Sequence, residues 1–499
     1  NRTRLWLVSR GSQTVGNETF SPQIQQAPLW GLGLAVALEH PELACTLVDL
    51  DPATTDADDL LASLQTADDE SRIAWRQGTR HVARLTRQQA PATDPQPSIR
   101  ADASYLITGG TGGLGLSTAA WMVAQGARHL VLTSRSKASK EALEAVNRME
   151  LAGTQVLLMQ ADVADREALA QVFHTINTTL PELRGIMHCA GIIDDGMLAE
   201  QTWEHFKRAL PAKIHGAWHL HQLSQALPLD FFVLFSSAAS VLGNQGQGNY
   251  AAANAFLDGL AHYRRQQGLP AVSINWGPWD SIGIAVSDAA IADHMGRLGF
   301  TGIKPEFGIA ALEKILAANI TQISVIDWDW QKYLAQLSTP RNFFAELSKT
   351  FPLAAIDSGA TPEILHELQQ ASPEKRKQLL GALVHDTVRR TLGIHESVLL
   401  DATKPLADQG LDSLMAVQMR NALGNSLRQA LPVSLAFNYP TVNDIMDYIE
   451  VLMDKALGSI EPSATAAQPP AQHDDSASSS AHALLADLDK LLDEPDLNA

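Results

Sequence analysis

The 499-residue sequence predicts an α/β protein: a doubly wound parallel sheet in mid-chain, followed by a small helical bundle. Three observations carry the prediction. Between residues 104 and 276, short β-rich runs alternate with helical periods, the pattern of a parallel sheet covered by helices. A glycine cluster, TGGTGGLG at 108–115, stands where the first of these strands hands over to a helix. From 370 to 456 the apolar spacing is helical throughout, with a long loop after the first helix.

Residues 1–90 contain RLWLVSRG, APLWGLGLAVALEHPELACTLVDLD and ARLTR, strand-like and helical pieces without cofactor glycines. The GLG here lies inside a helical run, so this region is expected to be scaffold. The chain starts at Asn1, directly before a strand-like run, and reads as a segment of a longer polypeptide. Residues 91–103 are Pro-rich and polar, a predicted linker. The sheet is expected within 104–340. SYLIT precedes the glycine turn and the helix LSTAAWMVAQG; HLVLTS, KEALEAVNRMELAG and QVLLMQ continue the alternation. RGIMHCAG, LDFFVLFSS and AVSINW follow with helices between them, and AVSINW is expected to close the series. A second linker is expected at 341–369, the helical bundle at 370–456 and a low-complexity, disordered stretch at 457–482. Residues 483–499 form a short acidic amphipathic piece, with leucines at helical spacing.

A net charge of −18 argues against nucleic acid or an anionic membrane as partner. Two cysteines, Cys45 and Cys189, supply neither a metal cluster nor a disulfide framework, which fits a reducing cytoplasm. No apolar run approaches a membrane span, and no signal peptide is visible. His215, His219 and His221 are the one metal-like grouping. Without a third ligand in the usual arrangement they are expected to be packed or solvated histidines, and no metal site is predicted.

Ligands bind such sheets at the carboxyl ends of the strands. Thr108, Gly109, Gly113 and Gly115 lie there, where glycine permits a tight turn and a helix N-terminus favours a phosphate. After the second strand, Ser134 and Arg135 occupy the ribose position with no acidic residue. An arginine there favours a 2′-phosphate, hence NADPH over NADH. Asp162 and Val163 are expected to flank the adenine. A further stretch, GNQGQGNYAAANAFLDG at 243–259, places Tyr250 and Asn254 four residues apart on one helical face. Helix packing accounts for Ala251–Ala253 but not for that pair.

The spacing TGxxxGxG is similar to that of short-chain dehydrogenases/reductases, a Rossmann-like fold. FVLFSSAASVLGNQGQGNYAAANAFLDGL and INWGPW narrow the resemblance to the ketoreductase domain of a modular polyketide synthase. It implies a catalytic set of Ser237, Tyr250, Asn254 and Lys213, with Thr111, Leu114, Ala190 and Gly191 joining the cofactor contacts. Tyr250 would donate the proton to the reduced ketone, and Lys213 would lower the phenol's pKa and hold the ribose. Ser237 would stabilise the developing alkoxide, and Asn254 would orient Lys213 or a relay water. In this setting the alanines would keep the helix slim beside the substrate. Ile193-Asp194-Asp195 is similar to the Leu-Asp-Asp motif of B-type ketoreductases, and no Trp precedes Tyr250 as in A-type domains. The resemblance therefore implies a D-configured β-hydroxyl. Residues 1–90 resemble the truncated Rossmann-like structural subdomain that accompanies such enzymes.

Residues 370–456 resemble an acyl carrier protein. The motif DQGLDSLMAVQMRN is similar to the site where 4′-phosphopantetheine is attached, here Ser413. A β-ketoacyl thioester on that arm would reach Tyr250 at high effective concentration. The resemblance implies as partners a phosphopantetheinyl transferase and other synthase domains, ketosynthase and acyltransferase, in a homodimeric parent synthase. The tail either docks onto a downstream synthase polypeptide or binds nothing, and the sequence leaves both open. An alternative to the NADPH-dependent reductase is a catalytically silent fold serving as carrier and docking platform. A stand-alone alcohol dehydrogenase is disfavoured by GLDSL on the same chain.

Overall fold

Alternation of buried β-rich runs with amphipathic helices gives two sheets and a separate helical unit. The structure, a computed structural model, describes residues 4–16, 20–55, 57–66, 68–88, 99–280, 300–335, 342–351, 363–392, 400–411, 413–427, 429, 431–432 and 435–458. The chain divides into two compact units between Phe351 and Pro352.

The first unit opens with a four-stranded sheet. β1 (Trp6–Arg10), β2 (Thr46–Leu50) and β3 (Arg72–Arg76) are parallel, with α1 (Ala27–Glu39) and α2 (Asp58–Gln65) as the connections. β4 (Thr79–Val82) returns antiparallel through Gln77 and Gly78, whose φ values of 51° and 72° suit a two-residue hairpin turn.

The larger sheet has seven strands, β5 (Ser104–Thr108), β6 (His129–Ser134), β7 (Gln155–Gln160), β8 (Leu183–His188), β9 (Phe231–Ser237), β10 (Val272–Trp276) and β11 (Gln322–Val325). Their order is β11-β10-β9-β8-β5-β6-β7, parallel throughout. The strand order reverses between β5 and β8, so the crevice at their carboxyl ends is the place for a ligand. The connecting helices are α3 (Gly113–Ala124), α4 (Lys140–Leu151), α5 (Arg166–Thr179), α6 (Trp203–Lys213), α7 (His215–Ser224), α8 (Ala239–Leu242) and α9 (Gly248–Gln266). α10 (Pro305–Ala317) precedes β11. β5 and β9 are buried almost end to end, as central parallel strands require.

Two expectations are corrected here. AVSINW does not close the sheet: QISV adds β11 at its edge, a four-residue strand whose half-buried side chains give little apolar signal. The alanine run does not line a substrate space. Ala251, Ala252 and Ala253 are fully buried, and a Cβ on Gly31 of α1 would stand 2.1 Å from the Ala251 carbonyl oxygen. The small residues are the seam along which α1 and α9 touch backbone to backbone.

The expected linker at 341–369 is folded at both ends. Phe343, Phe344 and Leu347 pack with Ala238, Leu242 and Leu334 of the first unit. The helix Glu363–Gln370 buries Leu368 in the core of the second. That second unit also holds helices Pro373–Leu392, Ser413–Leu427, Leu435–Asn438 and Val442–Gly458 around Val384, Val388, Leu423, Ile445 and Ile449. Residues 91–98, the tail 459–499 with its expected disorder and docking helix, and Asp412 lie outside the described residues.

Candidate active site

The glycine turn sits at the end of β5. Gly109 has φ of 66°, and a Cβ on it would lie 2.8–3.0 Å from backbone atoms of Ala190 and Cys189. A Cβ on Gly115 would meet the Gly109 carbonyl oxygen at 2.4 Å. The turn therefore closes only with glycine at these two positions. Gly112 caps α3 without a side chain, and Gly112 and Gly113 are exposed, so the first N–H groups of α3 face outward. Thr111 and Leu114 flank this opening, half-buried. Thr108 is buried, its hydroxyl 2.7 Å from Nδ1 of His188.

Along the same edge, Ser134 donates to the Ser136 carbonyl at 2.6 Å, and Arg135 beside it is exposed. Asp162 accepts the Ala164 N–H at 3.0 Å, and Val163 is buried against Gly216. Ala190 and Gly191 follow β8. Gly191 makes room for Lys213, whose Cε would be 2.7 Å from a Cβ there.

Lys213, Ser237, Tyr250 and Asn254 come from three elements and converge. Lys213 is the last residue of α6, a helix interrupted by Pro211. Ser237 ends β9; Tyr250 and Asn254 share the first turns of α9. Lys213 is 3% exposed, donates to the Phe235 carbonyl at 2.8 Å, and its Nζ lies 5.6 Å from the centre of the Tyr250 ring. Burial lowers its pKa to about 8, against the opposing effects of Cys189 and Asp258. Asn254 is fully buried. Its amide donates to the Tyr250 carbonyl at 2.8 Å, while its Oδ1 has no hydrogen-bond partner among the described residues. Burial raises the pKa of Tyr250, although Asn254 and Ser237 beside the phenol favour ionisation. Desolvation therefore sets the net direction and outweighs the lowering expected from Lys213.

The Ile193-Asp194-Asp195 segment faces the loop before Tyr250. Asp194 pairs with Arg208 at 2.6 Å, and its carbonyl accepts from Asn249 at 2.9 Å. Both Asp195 oxygens accept from Gln247 at 3.1 Å. Ile193 is half-buried.

Sequence reasoning missed the polar network under this cluster. Asp258 accepts from Ser240 and Ser273 at 2.6 Å each and from Asn275 at 2.8 Å on both oxygens. Burial raises its pKa to about 6. Ser236 joins the network to the site by donating to the Asn254 carbonyl at 3.2 Å. The signal was present: Asp258 continues the i, i+4 spacing of Tyr250 and Asn254. The rings of His215 and His219 lie 6.4 Å apart, centre to centre. His219 lies 3.3 Å from the Val163 carbonyl, and His221 contacts Gln225 and Arg264. In the second unit, Ser413 is the first residue of its helix.

Comparison with known proteins places these features. A polyketide synthase extender-module Rossmann domain model matches residues 1–85, a KR domain model 103–281, and a phosphopantetheine attachment site model 382–449. A solved structure described as A-type ketoreductases from a modular polyketide synthase is 36% identical, with a TM-score of 0.65 over 69% of this chain and 73% of that one. This chain belongs to the modular polyketide synthase ketoreductases. The first ketoreductase of the tylosin synthase is 34% identical, with a TM-score of 0.63 over 70% of this chain and 76% of that one. Polyketide synthase GfsB of Streptomyces halstedii is 35% identical over 92% of this chain and 8% of its own length. For the pikromycin synthase component PikAIII of Streptomyces venezuelae the figures are 34%, 88% and 29%. The ketoreductase chain thus spans less than a third of each of these two relatives. It carries a ketoreductase domain and a carrier domain with a phosphopantetheine attachment site, and its family implies a nicotinamide cofactor. Its structural relatives include A-type and C2-type ketoreductases, so the shared fold does not select a stereochemical type. No described helix is long and apolar enough to cross a membrane.

Proposed function

We propose that this chain reduces a carrier-bound β-ketoacyl thioester to the D-β-hydroxyacyl thioester with NADPH, the acyl chain riding on phosphopantetheinyl-Ser413. The convergence of Lys213, Ser237, Tyr250 and Asn254 beside the glycine turn carries this reading. The turn fits a dinucleotide: the glycines leave no Cβ in the crevice, and the exposed start of α3 suits a pyrophosphate. Thr108, Thr111, Leu114, Ala190 and Gly191 border that crevice. Arg135, exposed and on the ribose side, suits a 2′-phosphate. When bound, NADPH supplies the hydride.

The chain's own residues handle the proton. A reductase needs its acid protonated at neutral pH, and a phenol already is at its ordinary pKa; burial keeps Tyr250 in that form. Tyr250 donates to the ketone oxygen, Ser237 donates a second hydrogen bond to it, and Lys213, cationic below about pH 8, favours the phenolate left behind. The Asn254 Oδ1 supplies an acceptor for Lys213 or for a relay water that reprotonates Tyr250.

The B-type assignment rests on Ile193-Asp194-Asp195 and on the absence of Trp from residues 243–249. Ketosynthase and acyltransferase domains, a phosphopantetheinyl transferase and a homodimeric parent belong to the same proposal. The test is NADPH oxidation with a racemic 2-methyl-3-ketoacyl thioester and chiral analysis of the product, repeated with NADH. The D-hydroxyl with a preference for NADPH is expected. The opposite hydroxyl would overturn the type, and cofactor binding without turnover would favour the silent platform.

A further inference from the structure

We infer that Glu39 is a positioning residue for ketone reduction, clamping from the neighbouring small-sheet half the two loops that border Tyr250. This rests on the reductase reading above and extends it to a residue outside the larger sheet. One carboxylate oxygen of Glu39 accepts the Leu198 N–H at 2.7 Å, and the other accepts the Gly246 N–H at 2.9 Å. Leu198 follows the Ile193-Asp194-Asp195 segment, and Gly246 lies four residues before Tyr250. The two loops are also joined to each other, Gly196 N–H to the Gly246 carbonyl at 2.8 Å and Gln247 to Asp195 at 3.1 Å. Gln245 reaches back to the Leu38 carbonyl at 3.3 Å, and a Cβ on Gly243 would lie 2.8 Å from the Leu34 carbonyl. Glu39 thus closes the base of a two-loop unit whose rim is the Asp195–Gln247 pair.

The residue type supports the assignment. Glu39 is fully buried and is the last residue of α1, where exposed carbonyls disfavour a negative charge. Two short main-chain donors compensate for this. A glutamine of the same shape has only one oxygen to offer, and its NH₂ would face a second donor. The spacing between the segment implied in stereocontrol and the proton donor is therefore tied to a carboxylate from the other sheet.

The experiment compares the full chain with Glu39→Ala, Glu39→Gln and Ile24→Ala, the last a core change in the turn before α1, packed against Gly259 of α9 and away from these loops. NADPH affinity, kcat, KM for the 2-methyl-3-ketoacyl thioester and product diastereomer ratio are measured, with amide exchange at 193–198 and 243–249. Glu39→Ala is expected to raise KM and erode the diastereomer ratio roughly tenfold at unchanged NADPH affinity, with Glu39→Gln intermediate and Ile24→Ala at the wild-type ratio. An unchanged ratio and KM in a folded Glu39 variant overturns the inference, as does equal erosion in Ile24→Ala. If Glu39→Ala does not fold, the isosteric Glu39→Gln decides. A wild-type chain without turnover sinks the reductase reading instead. Amide exchange then decides the clamp: faster exchange in both loops of the Glu39 variants alone supports it, and no difference from Ile24→Ala overturns it.

Discussion

Replacing Lys213 with methionine should abolish reduction and, at neutral pH, make the folded chain more stable. Lys213 is 3% exposed, and burial moves its pKa from 10.5 to about 8. At about 1.4 kcal/mol per pH unit, keeping the ammonium in the fold costs about 3 kcal/mol below pH 8. The sign follows from proton binding. The unfolded chain holds this proton more tightly, so the cost is full below pH 8 and fades as pH rises from 8 to 10.5. Methionine fills a similar volume without the charge but leaves the Phe235 carbonyl without its Nζ donor, a loss of about 1–2 kcal/mol. Lys213→Met should therefore be more stable than wild type by about 1–2 kcal/mol at pH 7 and less stable near pH 10. Urea unfolding of the cofactor-free chain, followed by tryptophan fluorescence at both pH values, measures the gap. A variant less stable at pH 7, or a gap equal at the two pH values, would refute the reasoning. The same titration predicts that wild-type turnover falls as pH rises through about 8, because the cation behind Tyr250 is lost.

Gly31→Ala should cost roughly 3 kcal/mol or more, because the new Cβ meets the Ala251 carbonyl oxygen at 2.1 Å and neither backbone can yield; a denaturation midpoint close to wild type would contradict the helix seam. Arg135→Asp should raise KM for NADPH at least about tenfold while leaving NADH turnover nearly unchanged, and equal losses with both cofactors would remove Arg135 from the 2′-phosphate site. Ser413→Ala should block phosphopantetheine addition, read by mass spectrometry with added transferase, without slowing reduction of a soluble thioester. Continued modification would place the arm on another serine.

The central sheet was legible because buried parallel strands appear as uninterrupted apolar, β-rich blocks, as in LDFFVLFSS and HLVLTS. The glycine turn was legible because its constraint is local: Gly109 and Gly115 are required by atoms within or next to the same motif. What escaped was non-local. The alanines of α9 suggested a slim wall until α1, more than 200 residues earlier, was found against them. Glu39 gave no signal, because it recognises main-chain N–H groups, which any sequence carries. The net shift of Tyr250 was not legible because residue type alone does not report desolvation, which depends on how deeply the group is enclosed. β11 escaped because a four-residue edge strand lacks a clear period.

The most direct measurement of the account is NADPH oxidation by the full chain with a 2-methyl-3-ketoacyl thioester, run beside Tyr250→Phe, with cofactor affinity determined for both. Turnover in the wild type that drops about 10²–10⁴-fold in the variant, at unchanged NADPH affinity, is the predicted result. Comparable turnover in the two proteins would contradict Tyr250 as the proton donor, and with it the assignment of this cluster as the reducing site.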